Sequence, residues 1–248
     1  MDQLLELLQR ELPLRLAGYR PPPGDCTGLV VVDEVNGFCT VGAGNLAPAS
    51  PNPQVARMVE LTDGLARRFV GKRWPVLAFL DTHEPGKPEP PYPPHCERGT
   101  GEENLVPQLA WMTDEPDVTC MRKDCINGFV GGIEPMHHGT HGASRNRVVD
   151  WVNAHRLKAV VTTGICTDIC VMDFVLTLLS ARNHGLMPTL KDVVVLEPAC
   201  ATYDLPRAAA EDLGLPATAA HPQAHTHHLG LYFMVSRGAV LASELEEM

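Results

Sequence analysis

Side chains of the types that carry out chemistry occur at four places in this 248-residue sequence. Two of them are single charged residues, Asp33 and Lys123, that each follow a segment typical of a β-strand. A third is a proline-rich loop with oxygen and nitrogen ligands, and the fourth is a pair of nearby cysteines. An acid, a lysine and a thiol can together activate a nucleophile, and mixed carboxylate and imidazole groups can bind a metal.

The cysteine pair lies between a predicted strand and a predicted helix. The apolar run 159–163 indicates a buried strand, and apolar residues at helical spacing predict a helix from Met172 to His184. Thr167 is predicted as the N-cap and Asp168 as a first-turn acid. Cys170 would then lie in the first helical turn, where free N–H groups favour a thiolate. Cysteine is also among the most frequently buried residues, so a purely packing role stays open.

Asp33 and Lys123 each follow a predicted strand. The continuous apolar run 29–32 is typical of a parallel strand covered on both faces, and 118–122 indicates another strand. Ligand sites of open α/β sheets lie at the carboxyl ends of such strands. On local sequence alone, a turn or cap role for Asp33 and a solvated role for Lys123 remain alternatives.

A fourth strand, predicted at 75–80, leads into a loop that could hold a metal. The loop contains Asp81, His83, Glu89 and His95, and its prolines restrict φ and stiffen it. Such an oxygen and nitrogen ligand set suits Zn, Fe or Mn. The spacing is not that of a zinc finger, and a surface loop with two solvated histidines is the alternative.

Strands and helices alternate along the chain, which predicts one doubly wound α/β domain. We expect a mostly parallel sheet of about six strands with helices on both faces. Residues 1–24 are predicted to form an N-terminal helix and connector, and residues 25–248 the domain. Because the carboxyl ends of parallel strands share one edge, the distant candidate residues can converge there.

Composition narrows the class of protein. A formal charge of −10 argues against binding nucleic acid or anionic membranes. No apolar run reaches the roughly 18 residues that span a bilayer, and the first residues lack the apolar core of a signal peptide. The eight cysteines are therefore expected to be reduced thiols in the cytoplasm, with the nucleus open by diffusion.

Five motifs together resemble one known family. The chain resembles the isochorismatase-like cysteine hydrolases, and within them the plant-type nicotinamidases, from about Cys26 onward. The residues that carry the resemblance are Val31–Cys39, Asp81–His83, Tyr92–Cys96, Arg122–Phe129 and Gly164–Val171.

The resemblance implies a role for each candidate residue. It implies catalysis by Asp33, Lys123 and Cys170, and an oxyanion hole from the N–H groups of Cys166 and Cys170 after a cis Ile165–Cys166 peptide. It implies metal ligation by Asp81, His83 and His95, with Glu89 at a variable ligand position. The residues implied to line the substrate pocket are Phe38, Tyr92, Phe129 and Ile169.

The implied activity is hydrolysis of nicotinamide through a cysteine thioester. One divalent transition metal, Zn first with Fe or Mn as alternatives, is expected to hold the pyridine nitrogen. Another amidohydrolase of the family, acting on a carbamoyl or ureido compound, is the first alternative, and a non-catalytic binding protein with a decayed site is the second. A small-molecule substrate is the expected partner, and a homo-oligomer is allowed.

Overall fold

A seven-stranded sheet forms the centre of the computed structural model, which describes residues 2–24, 26–87, 89–135 and 144–246. The order in this sheet is β1-β9-β8-β7-β2-β3-β4, and each neighbouring pair is parallel. Strands β5 and β6 form a separate antiparallel pair. The strands are β1 (Ala17–Tyr19), β2 (Thr27–Val32), β3 (Val76–Asp81), β4 (Val118–Lys123), β5 (Ile133–Pro135), β6 (Ser144–Asn146), β7 (Ala159–Ile165), β8 (Asp192–Ala201) and β9 (Val240–Leu245).

Helices connect the strands and cover the sheet. They are α1 (Gln3–Glu11), α2 (Asn36–Cys39), α3 (Pro53–Gly71), α4 (Gly128–Gly131), α5 (Arg147–Ala154), α6 (Cys170–Asn183), α7 (Arg207–Asp212) and α8 (Gln223–Val235), with 3₁₀ turns at Ala110–Thr113 and Ala217–Ala219. Among the described helices, none combines the length and the apolar character needed to cross a membrane.

Alternate residues of the central strands enter two separate cores. Val30 and Val32 of β2 pack with α6 residues such as Phe174, whereas Val31 packs with α3 residues such as Phe69. Successive side chains of a strand point to opposite faces, so helices cover both faces of the sheet. All residues of β2, β3 and β7 are buried as a result, as the continuous apolar runs predict.

Local sequence explains where α3 begins. The side chain of Asn52 accepts hydrogen bonds from the N–H groups of Gln54 and Val55, and Pro53 occupies the first helical position. Both residues are preferred at these positions because the first N–H groups of a helix lack partners within it.

The expectation of a mostly parallel doubly wound sheet is confirmed, with two differences in the strands. β1 is an additional edge strand within the segment predicted as helix and connector, and it pairs with β9. A strand of three residues is too short to show an alternating pattern of apolar and polar side chains in the sequence. β8 continues to Ala201, beyond the apolar run that ends at Leu196, and this extension brings the following residues to the ligand edge of the sheet.

Candidate active site

Four neighbouring strands, β7, β2, β3 and β4, bring the candidate residues to one edge of the sheet. Asp33 follows β2, while Asp81 and Lys123 end β3 and β4 and are paired in register. The backbone turns into the left-handed region at Asp33, with φ of 52°. β7 lies on the other side of β2 and leads to Cys166–Cys170, which we call the cysteine turn.

Lys123 lies at the centre of a buried group of charges. Its Nζ is 2.8 Å from Asp33 Oδ2 and 2.8 Å from Asp81 Oδ1. It also donates to the carbonyl of Cys125 at 2.9 Å and lies 4.0 Å from Cys170 Sγ. Lys123 is not a solvated surface lysine, because its side chain is 0% exposed.

Burial and ion pairing determine the charges within this group. Burial raises the pKa of Asp33 to about 6, although Lys123 opposes the shift. Burial would also raise the pKa of Asp81, but Lys123, His83 and His95 outweigh it and hold that pKa well below the usual range. Burial disfavours the charge of Lys123, yet Asp33 and other anionic neighbours raise its pKa above the ordinary value. Asp33 is therefore the carboxylate of this group that can exchange a proton near neutral pH.

The thiol of Cys170 differs from the sequence expectation in its charge. Its position at the start of α6 favours a thiolate, but burial raises its pKa well above the ordinary value, and Lys123 opposes this only partly. The resting side chain is thus a neutral thiol. It needs a nearby base to become a nucleophile.

The cysteine turn has the backbone geometry expected of an anion-binding turn. The Ile165–Cys166 peptide is cis, as the resemblance implies. The N–H groups of Ile169 and Val171 both donate to the carbonyl of Cys166. Within the described residues, the N–H groups of Cys166 and Cys170 have no intramolecular acceptor and remain free to donate to a bound oxyanion.

Glycine is required just before this turn. Gly164 has φ of 123°, and a Cβ there would lie 2.1 Å from the carbonyl oxygen of Val32 in the neighbouring strand. A larger residue would push the turn away from β2.

The predicted capping roles of Thr167 and Asp168 are wrong. Ile169 is the N-cap residue of α6 and makes no side-chain capping bond. Thr167 instead contacts His227 of α8, and Asp168 accepts from Thr202, the residue just after β8. Tertiary partners compete successfully with the local N–H groups because they offer a hydroxyl and imidazoles at short distance.

A second cluster adjoins the charged group through Asp81. One ligand atom each from Asp81, His83 and His95 lies within 4.8 Å of the others. Asp81 Oδ2 is 3.0 Å from His83 Nε2 and 3.2 Å from His95 Nε2. Glu89 Oε2 is 3.6 Å from each of these nitrogens. These histidines are buried and their side chains converge, so the surface-loop alternative does not describe them.

The bonding of the remaining polar atoms fits a divalent metal. His95 Nδ1 is 2.8 Å from the carbonyl of Pro93, which can only accept, so Nδ1 carries a proton. In the neutral ring the lone pair is then on Nε2, the atom that faces the cluster. Glu89 Oε1 accepts from the N–H of Ile126, which leaves Oε2 directed at the histidines. Two imidazole nitrogens and carboxylate oxygens are ligands that Zn, Fe and Mn accept.

A narrow cavity of about 50 Å³ joins the two clusters. Three of the predicted pocket residues line it, Phe38, Tyr92 and Ile169, together with the ligands Asp81, Glu89 and His95 and both cysteines of the turn. The rings of Phe38 and Tyr92 lie 5.6 and 6.1 Å from that of His95. The structure does not bring Phe129 to this cavity, because its side chain packs into the core against β2 and α6.

Sequence reasoning missed four side chains that line the cavity, Leu46, Ile126, Ile165 and Tyr203. Tyr203 could have been found, since it follows β8 just as Asp33 follows β2. The apolar run of β8 ends at Leu196, however, and does not indicate that the strand continues to Ala201 and brings Tyr203 to the sheet edge. Leu46 and Ile126 lie in loops, where the sequence pattern carries no signal for a pocket.

The family model described as Isochorismatase domain matches residues 27–232. The chain belongs to the isochorismatase family. It is 52% identical over 218 residues to Nicotinamidase 1 of Arabidopsis thaliana, covering 88% of this chain and 86% of the relative.

Solved structures share the isochorismatase fold. A nicotinamidase from Bacillus subtilis superposes with a TM-score of 0.63 and 20% identity, covering 88% of this chain and 100% of the other. A pyrazinamidase from Pyrococcus horikoshii, solved in complex with zinc, gives a TM-score of 0.56 and 20% identity, covering 87% and 97%.

Proposed function

We propose that this protein is a nicotinamidase, which hydrolyses nicotinamide to nicotinate and ammonia. The observation that carries the proposal is a cavity lined by Cys170, Asp81, His95 and aromatic side chains, with the buried Lys123–Asp33 pair beside Cys170 and with His83 beside Asp81 and His95. The 52% identity with the Arabidopsis nicotinamidase supports the choice of substrate.

The geometry supports a mechanism that begins with proton transfer from Cys170 to Asp33. Lys123, beside both groups, stabilises the negative charge during the transfer. The thiolate attacks the carboxamide carbon, and the N–H groups of Cys166 and Cys170 donate to the oxygen that becomes negative. Asp33 then returns the proton to the amide nitrogen, and ammonia leaves a thioester on Cys170.

The second half of the reaction uses the same residues. Asp33 accepts a proton from a water molecule that attacks the thioester, and the same two N–H groups hold the oxyanion again. The carbon–sulfur bond breaks, Cys170 recovers its proton from Asp33, and nicotinate is released. The high pKa of the Cys170 thiol makes proton return favourable at this step.

We further propose that Asp81, His83, His95 and Glu89 hold one divalent metal, zinc in the first instance and iron or manganese as alternatives. The converging lone pairs support this, as does the zinc complex of the Pyrococcus pyrazinamidase. When bound, the metal supplies a Lewis acid that can hold the pyridine nitrogen and so orient the ring. Phe38 and Tyr92 would confine the ring on either side of His95.

A carbamoyl or ureido amidase is the second candidate, because the catalytic residues alone do not select a pyridine. The Asp81–His83–His95 cluster favours nicotinamide, since a linear ureido compound has no ring nitrogen for a metal to hold. The product nicotinate would enter pyridine nucleotide salvage in the cytoplasm. A homo-oligomer and the domain limit at residue 25 stay predictions.

Ammonia release from nicotinamide, pyrazinamide and an N-carbamoyl amino acid, each with and without chelator, tests the proposal. We expect turnover of the pyridine-type carboxamides, loss with chelator and recovery with zinc. Cys170→Ala should abolish turnover without changing metal content, whereas Cys26→Ala, at a buried cysteine away from the cavity, should retain it. Turnover by Cys170→Ala, or of the carbamoyl compound alone, would contradict the assignment.

A further inference from the structure

His221 contacts the cysteine turn from a distant part of the chain. Its Nε2 lies 2.7 Å from Oδ2 of Asp168, which occupies the middle of the turn between the two N–H groups proposed as the oxyanion hole. The other carboxylate oxygen, Oδ1, accepts from the hydroxyl of Thr202 at 2.7 Å. Both carboxylate oxygens are therefore held, and the Asp168 side chain is only 15% exposed.

The second ring nitrogen of His221 is also engaged. Its Nδ1 lies 2.9 Å from the carbonyl of Tyr203, and the hydroxyl of Thr226 is 3.3 Å away. The imidazole stacks on the Tyr203 ring at a centroid distance of 3.8 Å and an angle of 13°. Because Tyr203 lines the cavity, one imidazole joins a wall of the cavity to the turn that carries the thiol.

The helix that follows His221 packs closely against the same turn. A Cβ at Gly230 of α8 would lie 2.7 Å from Cα of Asp168, so only glycine allows this approach. His227 Nδ1 is 2.8 Å from the Thr167 hydroxyl, which adds a contact one residue earlier. Side chains from a distant part of the chain thus hold both Thr167 and Asp168 of the turn in place.

We propose that His221 is a positioning residue for the cysteine turn. By holding Asp168, it keeps the N–H groups of Cys166 and Cys170 and the Cys170 thiol aligned with the carbonyl of the substrate. His221 does not line the cavity and acts through Asp168. The inference rests on the proposed function, in which those two N–H groups bind the oxyanion.

The effect of the contact between His221 and Asp168 should appear in kcat more than in KM. The two N–H groups act on charge that develops only in the transition state, whereas the aromatic residues and the metal ligands hold the ring in the ground state. His221→Ala should therefore lower kcat by about 10- to 100-fold, as is usual for the partners that orient a functional group, and change KM much less. His221→Gln, whose amide can still donate to Asp168, should recover part of the lost kcat.

The chain offers a matched control in His225. Its Nε2 lies 2.8 Å from Oδ2 of Asp2, so it forms a carboxylate–imidazole pair on α8 that does not contact the cysteine turn. His225→Ala should leave both kcat and KM close to the wild-type values. Thermal unfolding of each variant would show whether His221→Ala and His225→Ala lower the stability of the protein to a similar extent.

Hydrogen–deuterium exchange of the peptide that covers the cysteine turn supplies a measurement without substrate. We expect faster exchange there in His221→Ala and not in His225→Ala. Wild-type kcat in His221→Ala, or unchanged exchange at the turn, would overturn the proposal. The proposal would also be overturned if His221→Gln lost as much kcat as His221→Ala and if the loss in each variant matched the decrease in its unfolding temperature. If the wild-type protein did not hydrolyse nicotinamide, the proposed function would be contradicted. The exchange measurement would still decide whether His221 holds the cysteine turn in place.

Discussion

The ammonium of Lys123 lies 2.8 Å from Oδ1 of Asp81, whose other oxygen faces two imidazoles of the proposed metal site. Asp81 is thus shared between the charged group around the thiol and the metal cluster. A change in the charge of one cluster acts on the other through this carboxylate, because the side chains are buried and little screened by water.

Replacing Asp81 should therefore disturb both functions at once. Asp81→Asn keeps the shape but removes the charge that pairs with Lys123 and that would ligate a metal. We expect metal affinity and kcat each to fall by at least about 10- to 100-fold. Metal content measured after dialysis, together with ammonia release at saturating zinc, tests this. Asp124→Asn, at an exposed carboxylate that pairs with Lys87, should change neither quantity.

Activity should depend on pH through Asp33. Its carboxylate must be ionised to accept the Cys170 proton, and burial raises its pKa to about 6. We expect kcat/KM to fall about tenfold per pH unit below that value and to level off above it. Metal content measured at each pH separates this effect from metal loss. A profile that stays flat down to pH 5 with the metal retained would exclude Asp33 as the base.

Lys123 should contribute to stability as well as to catalysis. Lys123→Met leaves Asp33 and Asp81 buried without their shared cation, which typically costs about 3–5 kcal/mol in the free energy of unfolding. Urea unfolding at a fixed zinc concentration measures this cost. The exposed Lys87 offers a control, since Lys87→Met removes only a surface ion pair, which contributes little to stability because water screens it. Equal costs for the two variants would contradict the central role of Lys123.

Glu34 should make the folded protein less stable as pH rises. Burial raises its pKa well above the ordinary 4.5, although the Thr62 hydroxyl opposes this. The unfolded chain releases this proton at lower pH than the folded one, so stability falls as pH rises above the ordinary value. Glu34→Gln, which mimics the protonated form, should be increasingly more stable than wild type between pH 5 and pH 8.

Urea unfolding at several pH values tests the role of Glu34. Glu60→Gln, at an exposed position of α3, should show no such pH-dependent gain. If the difference in the free energy of unfolding between Glu34→Gln and wild type stayed constant across these pH values, Glu34 would ionise in the folded protein.

The sequence alone determined which strand ends carry chemistry. Continuous apolar runs mark β2 and β3, which are buried on both faces, and Asp33 and Asp81 directly follow or end these runs. Lys123 ends β4, a strand of mixed polarity that is only partly buried. Parallel strands end at a common edge, so these residues had to converge once the strands became neighbours. The motif pattern added Cys170, the two histidines and Glu89. Cys170, His95 and Glu89 line one cavity, and His83 lies in the adjoining cluster with Asp81 and His95.

Only the tertiary structure decided how these groups interact. The ion pair of Lys123 with Asp81 depends on the register of β3 with β4, and the neutral state of the Cys170 thiol depends on its burial; no local pattern contains either. The packing of α8 against the cysteine turn brings His221 to Asp168, 53 residues away in sequence. Local preferences select strands and turns, whereas contacts between distant side chains arise only when the whole chain packs together.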